Sequence, residues 1–280
     1  MELPTPLTSA HWLYENLQNP ALRIFDVRWY LDPARKGREA FLSYHIPGAQ
    51  FAELDTELSS PRTRRSGRHP WPSVTQMVEF LESRGVSNHC DIVCYDDAGG
   101  AVASRLWMIL RWLGHERVAV LDGGLPRWQM LGLPVTNAPT VVPRRAHFVP
   151  SPRESLLVNL GQARAISEGA APGALLDARA GERYRGETEP VDPRPGHIPG
   201  AANRAFAQNL RGDGTMKQPA TLVREFEGLT DAVHYCGSGV TACHNLLAME
   251  VAGLKGSRLY PGSWSEWSRR DSLPAALGEE

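Results

Sequence analysis

His45-Ile46-Pro47-Gly48-Ala49 and His197-Ile198-Pro199-Gly200-Ala201 are the same five residues, set about half the chain apart. A Pro-Gly pair between apolar residues is a turn signal, and its return with identical neighbours points to a duplicated unit. Matching outward from the turn brings further landmarks into register. Ile24-Phe25-Asp26-Val27-Arg28 corresponds to Leu175-Leu176-Asp177-Ala178-Arg179, and Val93-Cys94-Tyr95-Asp96 to Val233-His234-Tyr235-Cys236. Asp122-Gly123-Gly124 with Trp128 corresponds to Pro261-Gly262-Ser263 with Trp267. Landmarks that keep their order along the chain argue against accident.

Each copy alternates short apolar runs with longer helical stretches. In the first, residues 22–27, 92–95 and 118–121 read as strands, and 73–84 and 103–113 as helices, the latter apolar at three- and four-residue spacing. In the second, 175–177, 232–235 and 257–259 read as strands, 221–227 as a helix, and 242–251 as an amphipathic helix. The alternation predicts the α/β class: two tandem domains, each a mainly parallel sheet flanked by helices. The Pro-rich stretch 137–152 interrupts the pattern. It divides the chain into a first domain over 1–140, a linker over 141–152 and a second domain over 153–280.

Composition excludes several classes. A chain of 280 residues has room for two cores. Thirty basic against 31 acidic residues leave a formal charge of −1, so nothing global favours nucleic acid. Arg62-Thr63-Arg64-Arg65, with Arg68 and His69, lies in a Ser/Pro/Gly-rich stretch and reads as a solvated loop. Four cysteines without paired short spacings fit a reducing compartment and carry no zinc pattern. The N-terminus has no basic, apolar leader, and no apolar run is long enough for a bilayer. The expectation is a cytoplasmic protein with no metal, no organic cofactor, and neither membrane nor nucleic acid as partner.

Duplication also supplies an internal control, since features in both copies belong to the fold and features in one are candidates for chemistry. Cys236 is such a feature, for Asp96 stands in its place in the first copy. It follows a short apolar run and is followed by Gly237-Ser238-Gly239-Val240-Thr241-Ala242. A strand that turns through glycines into a helix aims amide hydrogens at one point and favours negative charge there. The arrangement predicts a stabilised thiolate, the reactive form of cysteine. Cys90, Cys94 and Cys243 read instead as apolar filler.

These residues resemble the tandem rhodanese family of sulfurtransferases over nearly the whole chain. Asp-x-Arg at the strand end, the His-Ile-Pro-Gly-Ala turn in both halves, and Gly262-Ser263-Trp264-Ser265-Glu266-Trp267 are of that type. The loop Cys236-Gly237-Ser238-Gly239-Val240-Thr241 is similar to the 3-mercaptopyruvate sulfurtransferase branch. Thiosulfate-preferring members carry Arg-Lys where this chain has Gly237-Ser238. The resemblance implies two rhodanese-like domains, the first inactive. It also implies transfer of sulfur from 3-mercaptopyruvate through a Cys236 persulfide to a thiol such as thioredoxin, or to a low-molecular-weight thiol or cyanide, with release of pyruvate. The amides of residues 237 to 242 would hold the transferred sulfur. Thiosulfate is a dianion, and at an effective dielectric of about 20 a unit charge ~4 Å away is worth about 4 kcal/mol. A loop without cations is therefore expected to disfavour it.

On the same resemblance, Arg183 and Arg194 match positions whose arginines hold the substrate carboxylate and keto oxygen, a task that suits a guanidinium fork. Arg179 shares its setting with Arg28 and reads as structural. Ser238 and His45 resemble the serine and histidine of a proton relay, with His197 occupying the same turn in the other copy. Ala34-Arg35-Lys36 stands where the family pattern has the relay's aspartate, and Asp32 is the nearest upstream acid. Three alternatives stand beside this reading. A phosphatase of the cysteine-loop type would need arginine where Ala242 stands. A thiosulfate sulfurtransferase would differ in donor alone, and a non-catalytic rhodanese-like module would bind a partner without turnover.

Overall fold

Short β-branched and apolar runs, covered on both faces, fold as parallel strands in both copies. The computed structural model describes residues 2–142 and 144–279; Pro143, inside the expected linker, lies outside the described residues. Two units emerge. Unit 1 comprises Met1–Ser60, Pro72–Arg153 and Arg211–Met216; unit 2 comprises Pro61–Trp71, Glu154–Leu210 and Lys217–Glu280. The segments 61–71 and 211–216 thus depart from a simple division along the chain.

Among the described residues, unit 1 holds strands β1 (Leu7–Thr8), β2 (Leu22–Asp26), β3 (Ala49–Phe51), β4 (Asp91–Tyr95) and β5 (Val118–Leu121) in the order β1-β5-β4-β2-β3. All pairs are parallel, with Asp26 opposite Tyr95 and Phe51. Its helices are α1 (Ala10–Glu15), α2 (Gly37–Ser43), α3 (Val74–Ser83), α4 (Ala103–Trp112) and α5 (Gly124–Met130). Ser73 caps α3 by accepting the Gln76 amide at 3.1 Å.

Unit 2 repeats the plan with shorter strands. In it α6 (Leu160–Ser167), β6 (Leu175–Asp177), α7 (Gly181–Tyr184), β7 (Ala202–Asn203), α8 (Pro219–Glu225), β8 (Val233–Tyr235), α9 (Ala242–Val251), β9 (Arg258–Leu259) and α10 (Ser263–Trp267) follow one another. The sheet order is β7-β6-β8-β9, again parallel. Helix α8 starts two residues earlier than the periodicity implies because Pro219 is already set for the first helical turn.

Helix α9 corrects the sequence reading. Ala242 through Met249 are all buried, so the helix is enclosed around its circumference rather than half-exposed, with His244 and Asn245 hydrogen-bonded inside. Helix α4, its counterpart, is buried in the same way. No helix among the described residues is long and apolar enough to cross a membrane.

The repeated landmarks prove to be structural clamps. Arg28 lies on the Asp26 carboxylate and donates to the Tyr44 carbonyl at 2.7 Å; Arg179 lies on Asp177 and donates to the Gly196 carbonyl at 2.7 Å. Tyr95 and Tyr235 accept the amides of Ile46 and Ile198, each at 3.2 Å. Trp128 and Trp267 are buried, and their indole N–H groups donate to Pro134 O at 2.8 Å and Pro274 O at 2.7 Å. A buried indole needs such a partner, since an unmet donor costs roughly 1–3 kcal/mol.

Candidate active site

Strand β8 ends at Tyr235, and the next residue is Cys236, at the carboxyl edge of the parallel sheet where open α/β folds place their ligands. Its backbone is pinned on both sides. The amide donates to Ser263 Oγ at 3.1 Å, and the carbonyl accepts the Trp264 amide at 2.9 Å. Ser263 holds a φ of +56°, the value of its counterpart Gly124. A side chain in that region carries strain, here offset because the Ser263 hydroxyl also donates to Tyr260 O at 3.0 Å.

Beyond Cys236 the chain turns at Gly239, which has a φ of +73° and an amide that points back to Cys236 Sγ at 3.1 Å. Any Cβ at 239 would run into Pro261 O, so both the conformation and the close approach require glycine. Val240 and Ala242 are buried and Thr241 half-buried at the start of α9. Cys236 itself is 2% exposed and free.

The corresponding loop of unit 1 shows what this backbone is able to hold. Asp96 accepts the amides of Ala98 and Gly100 on Oδ1, both at 2.8 Å, and of Val102 and Ala103 on Oδ2 at 2.7 and 2.8 Å. A carboxylate thus occupies the nest, and Gly99, with φ +66°, matches Gly239. The first loop is one residue longer, helix α4 starting at Ala103 and α9 at Ala242. Burial and the neighbouring Asp96 charge push the Cys94 thiol well above its usual range, consistent with an inert filler.

Ser238 hydrogen-bonds a histidine, and that histidine is His69: Ser238 Oγ and His69 Nδ1 are 2.7 Å apart, both residues buried in unit 2. His45 has a different setting. Its Nδ1 is 2.8 Å from Phe41 O and its ring stacks on Phe41 at 4.1 Å, as His197 lies 2.8 Å from Tyr184 O and stacks on Tyr184 at 3.7 Å. The two histidines hold equivalent turns in their own units.

The arginines sort equally clearly. Arg183 donates to Glu189 Oε1 at 2.7 Å and Asp192 Oδ2 at 3.3 Å, while Arg68 pairs with the other oxygen of Asp192. Burial opposes ionisation of Glu189, but the Asp192 amide and the Arg183 fork outweigh it and hold its pKa below the usual carboxylate value. Both guanidiniums adjoin Gly237: a Cβ there would lie 2.7 Å from Arg68 Nη2 and 3.6 Å from Arg183 Nη1. The Nε atoms of Arg68 and Arg183 are buried and without a partner among the described residues.

Arg194 is not brought to this group. Its fork donates to the carbonyls of Ser268 (2.8 Å), Leu273 (3.0 Å), Arg270 (3.2 Å) and Trp267 (3.4 Å), tying down the turn after α10. The expectation of a loop without cations also needs correction. Gly237 and Ser238 carry none, but Arg68 and Arg183 place two beside them. Sequence reasoning missed Arg68 and His69 because they sit in the basic Ser/Pro/Gly-rich stretch read as a solvated loop. The internal control held the signal: no histidine falls between Ala201 and Thr221 in the second copy.

Comparison with known proteins agrees with this architecture. The Rhodanese-like domain family matches residues 9–131 and 160–270, and the chain belongs to the rhodanese family. It is 43% identical to a "Probable 3-mercaptopyruvate sulfurtransferase" of Pseudomonas aeruginosa, covering 98% of each chain. It is 35% identical to the thiosulfate sulfurtransferase of Bos taurus, over 94% of this chain and 92% of that one. The crystal structure of the 3-mercaptopyruvate sulfotransferase SseA from Escherichia coli superposes with a TM-score of 0.80 at 29% identity, covering 94% of this chain and all of the other.

Proposed function

We propose that the chain is a sulfurtransferase that takes sulfur from 3-mercaptopyruvate onto Cys236 and passes it to a thiol. The observation that carries this reading is the composition of one short loop: Gly239 N–H on Cys236 Sγ at 3.1 Å, and Ser238 bonded to His69 at 2.7 Å. A nucleophile, an amide that stabilises charge on sulfur and a proton-carrying pair occupy neighbouring residues.

In the first half-reaction the Cys236 thiolate attacks the donor sulfur. The new S–S bond forms as the C–S bond breaks, and the electron pair passes to carbon as the enolate of pyruvate. The donor's thiol proton reaches that carbon through Ser238 and His69, leaving a Cys236 persulfide anion. The Asp96 carboxylate, held by four amides in the sister loop, has the size and charge of such a group. In the second half-reaction an acceptor thiol attacks the outer sulfur and regenerates the thiolate. We assign the acceptor to the class of small thiols or thioredoxin-like proteins. A reducing compartment such as the cytoplasm suits four cysteines that form no disulfide.

Arg183, with Arg68, is the anchor we assign to the donor carboxylate, and Arg194 supports the fold instead. Asp192 and Glu189 stand behind the two guanidiniums and balance their charge. A planar monoanion therefore suits this group better than a compact dianion. The relative named for thiosulfate keeps that donor as the second reading. Measuring kcat/KM for both donors tests the choice: 3-mercaptopyruvate should lead by about tenfold or more, a difference of about 1.4 kcal/mol. Cys236→Ser should abolish both activities. A lead for thiosulfate would reverse the assignment.

A further inference from the structure

We infer that Arg68 and Gly237 form a coupled specificity pair, in which the absence of a side chain at 237 makes room for the Arg68 guanidinium. The inference deepens the proposed function and rests on it. Arg68 Nη2 lies where even a methyl group at 237 would approach to 2.7 Å. Gly237 has no positive φ, so its backbone does not require glycine; a side chain there would instead push the Arg68 fork out of its place.

Three contacts fix the arginine in that place. Its amide donates to Ser265 Oγ at 3.0 Å, its fork pairs with Asp192, and the next residue, His69, bonds Ser238. Asp192 is shared with Arg183, which aligns the two guanidiniums on the same side of Gly237. Arg68 is 13% and Arg183 19% exposed along the side chain, and the buried Nε of each is without a partner among the described residues. Paired forks with unused donors match a carboxylate carried by the sulfur donor. The cation that faces the donor is thus supplied by residues 61–71, and the nucleophile's own loop stays small to admit it.

The test is steady-state kinetics of the full chain with 3-mercaptopyruvate, with Cys236 persulfide formation followed by mass spectrometry. Arg68→Ala should raise KM about tenfold or more, the loss of a charge-assisted hydrogen bond, and leave kcat nearly unchanged. Arg68→Lys should fall between wild type and Arg68→Ala. Gly237→Ala should raise KM by displacing the Arg68 fork, even though residue 68 is untouched. The double variant Arg68→Ala/Gly237→Ala should be no worse than Arg68→Ala, because the methyl group then meets only Arg183, at an ordinary contact distance of 3.6 Å. Losses that simply add, or an unchanged KM in Arg68→Ala while the persulfide still forms, would overturn the inference and leave the sulfurtransferase reading intact. A wild-type chain that forms no persulfide would overturn both.

Discussion

His69 and His45 are both buried imidazoles, and their neighbours give them opposite tasks. His69 meets the hydroxyl of Ser238, two residues from Cys236, whereas His45 braces a turn by bonding Phe41 O. His69→Asn should lower kcat by roughly 10²–10³-fold, the usual worth of a positioned proton carrier, with little change in stability. His45→Asn should lower the melting temperature and leave kcat within a small factor. Steady-state rates and thermal melts of the two variants check this, and a kcat collapse in His45→Asn alone would contradict it. At this scale the sequence marked Cys236, its glycine loop and Arg183, and the structure sets the Gly239 amide on Cys236 Sγ and the Arg183 fork beside Gly237. The sequence was not legible for Arg68 and His69, whose roles depend on tertiary contacts with Ser265, Asp192 and Ser238 that leave no periodic trace. His45 drew attention through its motif, yet the same motif surrounds His197, and recurrence is the mark of a structural part.

The elements show where short strands carry unusual cargo. His234 lies within β8, two residues before Cys236, fully buried, and neither ring nitrogen has a partner among the described residues. Burial, and then the nearby Arg204 charge, lowers its pKa from 6.5 to about 3. A pKa depressed on folding means the unfolded chain binds the proton more readily. The stability contributed by neutral His234 is therefore complete above pH 6.5 and is lost as pH falls from 6.5 towards 3. The slope approaches ~1.4 kcal/mol per pH unit for one such group. His234→Leu should flatten the fall of the urea midpoint between pH 6.5 and 4.5, and parallel curves for the two proteins would contradict the assignment. Strand and helix positions were read closely where apolar runs were long, as in β5 and α9. Of the two-residue strands, β9 was read with its flanking residue, and β1 and β7 escaped because two residues carry no period.

Over the whole molecule, duplication made the fold readable. Asp-x-Arg, the repeated turn and the tryptophan after the glycine pair are load points of each unit, so selection of the same physical solution left the same letters twice. The exchange of residues 61–71 into unit 2 was unreadable for the opposite reason: side-chain bonds such as Arg68 N to Ser265 Oγ at 3.0 Å and Arg270 Nη2 to Arg65 O at 2.9 Å decide it. Duplication also separates the two units chemically. A carboxylate fills the nest in unit 1, and in unit 2 the corresponding loop sets the Gly239 amide on Cys236 Sγ at 3.1 Å. The most direct measurement is a single turnover of the intact protein with 3-mercaptopyruvate and no acceptor. One equivalent of pyruvate per chain is expected, together with one added sulfur atom on the peptide that contains Cys236, removable by a thiol. Pyruvate release without that sulfur, or the sulfur carried on another cysteine, would contradict transfer through Cys236.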